Sequence, residues 1–358
     1  MKSLGYKVQQ IETNTIKKIY LELTDRCNLD CSICYRKGWG ISPKDMELRV
    51  LDKFIKDIEG IEGIETIVLG GIGEPTYHGD ILDILEKLKG YNLHMTTNGT
   101  LLTEDLMKKM IETVHTITVS VDGMQEKFKE IRGIELNLIV ESLKNLEKLK
   151  QQMNSPYPKV ELQFVVSRDN ISDIYKVVQL ASDLNSSRLI ISNLIPQGED
   201  HKDNIVYEIY PTEENKNLLT KIRNYALGKG LNIHIPAMAL KTERSCNFIE
   251  DMTTFITSTG EVTPCYRLSH DGDEYVFGRD KKVKKYSFGN IMDTPLLDIW
   301  NNERYHQFRY TLHNNLYPSC MDCDLVEGCE LPRESEDCFG NTISCSDCLW
   351  GRKFVVCP

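Results

Sequence analysis

Cys27-Asn28-Leu29-Asp30-Cys31-Ser32-Ile33-Cys34 comes just after the apolar run Ile19-Tyr20-Leu21-Glu22-Leu23-Thr24. Three thiols spaced C-x3-C-x2-C, past the end of a predicted strand, can close around one face of an iron–sulfur cube. They supply three ligands where a cubane has four irons, so one iron stays open to a small molecule. A zinc site would need a fourth Cys or His close by, and no His precedes His78. Three unrelated core cysteines are the competing reading, and they leave this spacing behind a strand unexplained.

The other bounds agree with a folded metalloprotein. The chain has 358 residues, enough for one large α/β domain and a smaller one. Its formal charge is −10, from 43 basic and 53 acidic residues, which offers a phosphate backbone no general attraction, so nucleic acid is not an expected partner. The lysine cluster Lys281-Lys282-Val283-Lys284-Lys285 reads as a solvated loop. No signal-peptide pattern opens the sequence and no apolar run approaches membrane-spanning length, so a cytoplasmic location without membrane association is expected. Twelve cysteines in a reducing compartment are not a disulfide framework. Three lie at 27–34 and nine at 246–357, with none between.

After residues 1–17, a polar arm, strand and helix patterns alternate. Strands are expected at 18–24, 66–69, 93–96, 116–121, 159–166 and 188–191. Helices are expected at 48–61, 81–88, 104–113 (capped by Thr103), 137–150 and 171–184. Six strands alternating with helices give an α/β fold with a parallel sheet, although periodicity does not separate a barrel from a doubly wound sheet. Beyond them come a helix at 213–227, a short strand at 231–235 and a helix at 296–310.

In either architecture, function collects at the carboxyl ends of the strands, and polar turns fall there. Leu69-Gly70-Gly71-Ile72-Gly73-Glu74-Pro75 ends the second strand, Thr96-Thr97-Asn98-Gly99 the third, and Ser120-Val121-Asp122-Gly123 the fourth. Gln163-Phe164-Val165 and Ser192-Asn193-Leu194 end the fifth and sixth. Each is also ordinary turn chemistry when taken alone. Glu74 could accept hydrogen bonds from an ammonium, while His78 reads as a surface-loop residue.

Together, the cysteine triad and the Gly70–Glu74 turn resemble the radical S-adenosylmethionine (SAM) enzymes. The resemblance implies a partial (β/α)6 barrel over 18–205 and a [4Fe–4S] cluster on Cys27, Cys31 and Cys34. SAM would chelate the open iron. It also implies SAM contacts through Ile33, Gly71, Gly73, Glu74, Asn98, Ser120, Asp122, Val165 and Leu194. Arg132 would meet the SAM carboxylate; its alternative is a surface ion pair. A low-potential electron donor of ferredoxin or flavodoxin type would reduce the cluster.

A second cysteine system follows a connector at 206–245. Cys246-x13-Gly260-x4-Cys265 precedes Cys320-x2-Cys323-x5-Cys329, Cys338, Cys345-x2-Cys348 and Cys357. Two C-x2-C pairs this close signal metal, and zinc ribbons could use eight of the nine cysteines. The pattern over 246–358 resembles instead the SPASM extension of radical SAM enzymes, which implies one or two auxiliary [4Fe–4S] clusters. Where that pattern has a further cysteine, this chain has Arg333, so the division of nine thiols between two clusters stays open, with one to spare. Glu274–Arg279, Asp337–Asn341 and Ser344–Trp350 resemble the radical SAM maturases of tungsten-containing aldehyde:ferredoxin oxidoreductases.

The sulfatase-maturating relatives carry an aspartate directly after the cysteine of G-x4-C, and here that residue is Tyr266. No peptide-recognition domain precedes the triad. The function expected is therefore maturation of a tungsten-containing oxidoreductase, its cofactor or an associated peptide. Another peptide-modifying radical enzyme, forming thioether or carbon–carbon crosslinks, is the alternative. A non-catalytic zinc or iron–sulfur protein is the third.

Overall fold

The computed structural model describes residues 11–40 and 43–357; residues 1–10 of the expected arm lie outside the described residues. Six parallel strands lie side by side in chain order: β1 (Lys18–Leu21), β2 (Thr66–Leu69), β3 (Leu93–Thr97), β4 (Val114–Ser120), β5 (Lys159–Val166) and β6 (Arg188–Asn193). Between them run α1 (Leu48–Ile58), α2 (Ile81–Lys87), α3 (Glu104–Thr113), α4 (Gln125–Arg132), α5 (Leu136–Gln152) and α6 (Ile174–Asp183). Each helix buries one stripe. In α1 that stripe is Val50, Leu51, Phe54 and Ile58, the period a helix needs to cover a sheet. Sequential parallel pairing puts every strand's carboxyl end on the same rim, where the cysteine loop and the glycine-rich turn lie.

The sheet does not stop at six strands. After α7 (Glu213–Gly228), β7 (Ile233–His234) adds in parallel to β6. After α8 (Asn247–Glu250), β8 (Thr253–Ile256) pairs in parallel with β1, and β9 (Glu261–Thr263) folds back on it. A hairpin of β10 (Gly272–Val276) and β11 (Arg279–Val283) stands apart. Then β12 (Gly289–Asn290) joins β9, giving a ten-stranded open sheet. The cysteine-rich region is thus stitched to the barrel's first strand by backbone hydrogen bonds.

Three local expectations change. A helix absent from the sequence reading, α4, follows β4; only Phe128 and Ile131 of its eight residues are buried apolars, too few to show a period. The single helix expected at 296–310 is two, α9 (Leu296–Trp300) and α10 (Glu303–His313). Asn302 breaks it by capping the second, its side chain accepting from Tyr305 N at 2.7 Å. Only the first part of the lysine cluster, Lys281–Val283, belongs to strand β11, with Lys284 and Lys285 beyond its end; the strand's alternation buries Lys281, whose Nζ donates to Asp347 Oδ1 and Pro332 O, both at 2.7 Å. The β10–β11 turn is carried by Phe277 and Gly278, at φ 50° and 82°, the left-handed pair a two-residue hairpin needs.

Polar groups also fill the barrel interior near its amino-terminal end. His94 on β3 is buried against Thr118 on β4, with Nε2 2.8 Å from the Thr118 hydroxyl, and burial pushes its pKa down to about 3. The folded protein therefore refuses a proton that the unfolded chain accepts near pH 6.5. Stability from this site is full above that pH and falls as pH drops, by up to about 1.4 kcal/mol per pH unit. Urea unfolding at about pH 7 and about pH 5.5 should show that loss in the wild type and a shallower one in His94→Gln. Equal losses would contradict it.

Candidate active site in the barrel and its cysteine neighbours

Cys27, Cys31 and Cys34 line one wall of a cavity of about 1230 Å³, mouth included, at the carboxyl rim of the barrel. The loop that carries them is pinned at both ends. Asn98 Nδ2 donates to Asn28 Oδ1 at 2.9 Å, and Asn28 Nδ2 to the Thr100 hydroxyl at 2.8 Å, which fixes it to the turn after β3. Ser32 N donates to Ile131 O at 2.8 Å, which fixes it to α4. Leu29 N lies 3.4 Å from the Cys27 sulfur, a donor suited to a thiolate. Burial pushes the Cys31 thiol up to about 11, partly offset by the Arg132 guanidinium, so iron binding here would release protons.

The glycine-rich turn packs against the cysteine loop with no room for side chains. A Cβ on Gly73 would meet Thr24 O at 2.2 Å, and one on Gly71 (φ 152°) would meet Glu22 Oε1 at 2.6 Å. Glu22 is fully buried and holds the turn by accepting from Ile72 N at 3.1 Å, with His270 Nε2 3.0 Å from its other oxygen. Glu74 is also buried and already takes four donors. Its Oε1 accepts from Thr76 N, Thr76 Oγ1 and Thr97 Oγ1, and its Oε2 from Asn98 N at 2.6 Å. Since each carboxylate oxygen has two lone pairs, an ammonium would find room only on Oε2.

Of the residues expected around SAM, Ile33, Gly71, Gly73, Glu74, Asn98, Ser120, Asp122, Arg132 and Val165 line this cavity. Leu194 does not; it is buried in the core, and its neighbours Asn193 and Ile195 line the cavity instead. Arg132 is no surface ion pair. It is bound by both Nε (2.8 Å) and Nη2 to Asp122, which is fully buried and also accepts from Val165 N at 2.9 Å. His78 is buried as well, with Nε2 3.0 Å from Met46 O and Nδ1 accepting from Asp80 N. It braces the turn from behind.

The nine later cysteines fall into three sets. Cys246, Cys265, Cys345 and Cys348 line a mostly apolar hollow of about 490 Å³, mouth included, with Phe248, Leu268 and Phe308. Burial pushes Cys246 up to about 12 and raises Cys265 and Cys345 well above the ordinary thiol value, each also feeling its neighbours' charge. Cys320, Cys323, Cys329 and Cys338 lie together in the loops that follow α10. Arg333, at the position of the missing cysteine, is ion-paired with Asp280. Cys357 belongs to neither set; it lines the barrel cavity.

Among the described residues, no three His, Cys, Asp or Glu side chains converge as ligands of a single metal ion. A cubane makes a different demand, since each thiolate takes a different iron. The hollow lined by four thiols and the three-thiol wall beside an open cavity are the two donor sets such clusters need. Sequence reasoning missed Tyr35 and Trp350, which line this cavity with Tyr266; Trp39 packs on these rings without lining it. Tyr35 packs on Trp39 at 4.8 Å and on Tyr266 at 5.9 Å. Their signal was adjacency: Tyr35 follows Cys34, and Tyr266 follows Cys265.

Asp122→Asn should be severely destabilising, since it leaves the guanidinium of Arg132 buried without its counter-charge, at a cost of about 3–5 kcal/mol. Thermal melting checks this, with the exposed Glu104–Lys108 pair as control, whose loss should leave the transition unmoved. A melting point equal to the wild type's would refute the pairing.

The chain matches the Radical SAM superfamily over residues 21–181 and SPASM, an iron–sulfur cluster-binding domain, over 246–324. It is 37% identical over 350 residues to the tungsten-containing aldehyde ferredoxin oxidoreductase cofactor-modifying protein of Pyrococcus furiosus, covering 96% of this chain and 97% of that one. A probable GTP 3′,8-cyclase of Pyrococcus horikoshii is 28% identical, covering 62% of this chain and 71% of its own. SuiB of Streptococcus suis, solved with SAM bound, shares the fold at a TM-score of 0.64 and 15% identity, covering 92% of this chain and 78% of its own. The cysteine triad, the parallel barrel behind it and the second cysteine system have one explanation: this chain belongs to the radical SAM superfamily, among the members that carry a SPASM iron–sulfur domain.

Proposed function

We propose that this radical SAM enzyme is a maturase that modifies the cofactor of a tungsten-containing oxidoreductase, or a peptide associated with it. The observation that carries the reading is the 37% identity spread over nearly the whole of both chains, since a shared barrel alone would not extend through the second cysteine system. When bound, the cluster and SAM supply a 5′-deoxyadenosyl radical after one-electron reduction. This chain's residues bind and orient them. Cys27, Cys31 and Cys34 hold the cluster, the backbone of Gly71 and Gly73 admits SAM closely, and Glu74 Oε2 takes its ammonium. Arg132 has its guanidinium oriented by Asp122 and meets the SAM carboxylate. Ser120, Asn98 and Val165 flank the nucleoside, and the aromatic wall excludes water. The set Cys246, Cys265, Cys345 and Cys348 holds one auxiliary cluster, and Cys320, Cys323, Cys329 and Cys338 hold the other. A low-potential donor of ferredoxin or flavodoxin type supplies the electron.

Anaerobic reconstitution followed by iron and sulfide analysis tests the metal assignment. About twelve irons per chain are expected, falling by about four in the Cys27→Ala/Cys31→Ala/Cys34→Ala variant together with 5′-deoxyadenosine formation. Zinc without iron would refute it. For the substrate, the reduced enzyme and SAM are incubated with an unmatured tungsten-containing oxidoreductase. A covalent mass change on its cofactor or on an associated peptide is expected, and none with the triad variant. A mass change only on an unrelated peptide would move the enzyme to the crosslinking class.

A further inference from the structure

The barrel cavity carries no charge to spare beyond the groups that serve SAM. Apart from the cysteines, the acidic and basic side chains that line it among the described residues are Glu74, Asp122 and Arg132. Arg132 is held by Asp122, and Glu74 already accepts four hydrogen bonds. No lysine, histidine or second arginine among the described residues reaches this wall. A phosphate or carboxylate entering beside SAM would give up water without gaining a counter-charge, which is costly in a site walled by protein. The remaining wall offers flat rings and neutral hydrogen-bonding groups. Tyr35 stacks on Tyr266 at 5.9 Å, and Trp350 lies 6.4 Å from Tyr266. Gln163 on β5 is half-buried and pairs with Ser120 of β4 in the sheet register. Its carboxamide makes no hydrogen bond within the described residues, yet its polar atoms keep accessible surface on the cavity. The Tyr266 hydroxyl is open in the same way, whereas that of Tyr35 donates to Glu274 and Trp350 Nε1 donates to the Cys357 sulfur. A carboxamide supplies both a donor and an acceptor, and a phenol supplies a donor.

We propose that the part of the substrate entering the barrel is an uncharged, flat heterocycle, set against the aromatic wall and hydrogen-bonded to the Gln163 carboxamide and the Tyr266 hydroxyl. Every phosphate or carboxylate of the substrate stays outside this cavity. The inference rests on the maturase reading and narrows it, because the group presented to the radical is then a neutral ring rather than a charged tail or a charged peptide side chain.

The test is equilibrium dialysis of the reconstituted holoenzyme, kept oxidised under nitrogen and saturated with SAM so that the adenosine site is filled. Two probes share one ring and differ by a phosphate: inosine and inosine 5′-monophosphate. Inosine should bind at least about tenfold more tightly than its monophosphate. Gln163→Leu and Tyr266→Phe should each weaken inosine binding by about fivefold, the loss of one hydrogen bond to a neutral group. Iron content at the wild-type level shows that these variants have folded, and the wild-type ratio of the two probes decides the charge question whatever the variants do. Equal or tighter binding of the monophosphate, binding of neither probe, or folded variants that hold inosine as well as the wild type would overturn the proposal. The maturase reading falls separately. An inosine preference without any mass change on the tungsten-containing oxidoreductase would overturn that reading alone, and a mass change with the monophosphate bound as tightly would overturn this inference alone.

Discussion

The two cysteine systems are held in register by a buried ionic network. Arg267, two residues after Cys265, is 2% exposed and ion-paired with the fully buried Glu274 on β10. Glu274 also accepts from the hydroxyl of Tyr35, the residue after Cys34, at 3.1 Å. On the other side Asp347, between Cys345 and Cys348, takes the ammonium of Lys281 at 2.7 Å. Charges this deep are costly to bury, and removing one partner would strand the other. What the network provides is position: it ties residues beside Cys34, Cys265, Cys345 and Cys348 to a single hairpin, and it cannot shift without leaving a charge unpaired. Replacing a pair by apolar residues could keep stability and still lose that registration.

The hairpin explains why so much of the barrel was legible in the sequence and so much of the rest was not. Strands β2 and β5 match their expected bounds, because parallel strands buried on both faces read as apolar runs between turn residues. Thr103 capping α3, with its side chain accepting from Leu106 N, is a local signal and was equally plain. Lys281 looked like solvent-exposed charge because its partner Asp347 is 66 residues away. His78 looked like a loop histidine because the carbonyl that holds it belongs to Met46. Arg132 is the same case, since its helix has too few apolar residues to announce itself. Periodicity sees neighbours along the chain, and these residues are defined by neighbours across it.

The site itself divides along the same line. Its thiols and glycines carry spacing, so most of the residues expected around SAM do line the cavity. Its far wall carries none. Tyr35 on the cysteine loop meets Tyr266 and Trp350, each more than 200 residues further along the chain, because β8 continues the sheet beside β1. That pairing brings Cys265 and Tyr266 to the barrel rim, and it turns the cysteine-rich region into the barrel's missing wall.

The identity of the residue after Cys265 then constrains the chemistry on that wall. Here burial raises the Tyr266 hydroxyl well above its ordinary pKa, as do the neighbouring Cys34 and Cys357 if ionised. Burial thus favours the protonated phenol, which packs with Tyr35 and Trp350, so this position offers a hydrogen-bond donor rather than a ready base.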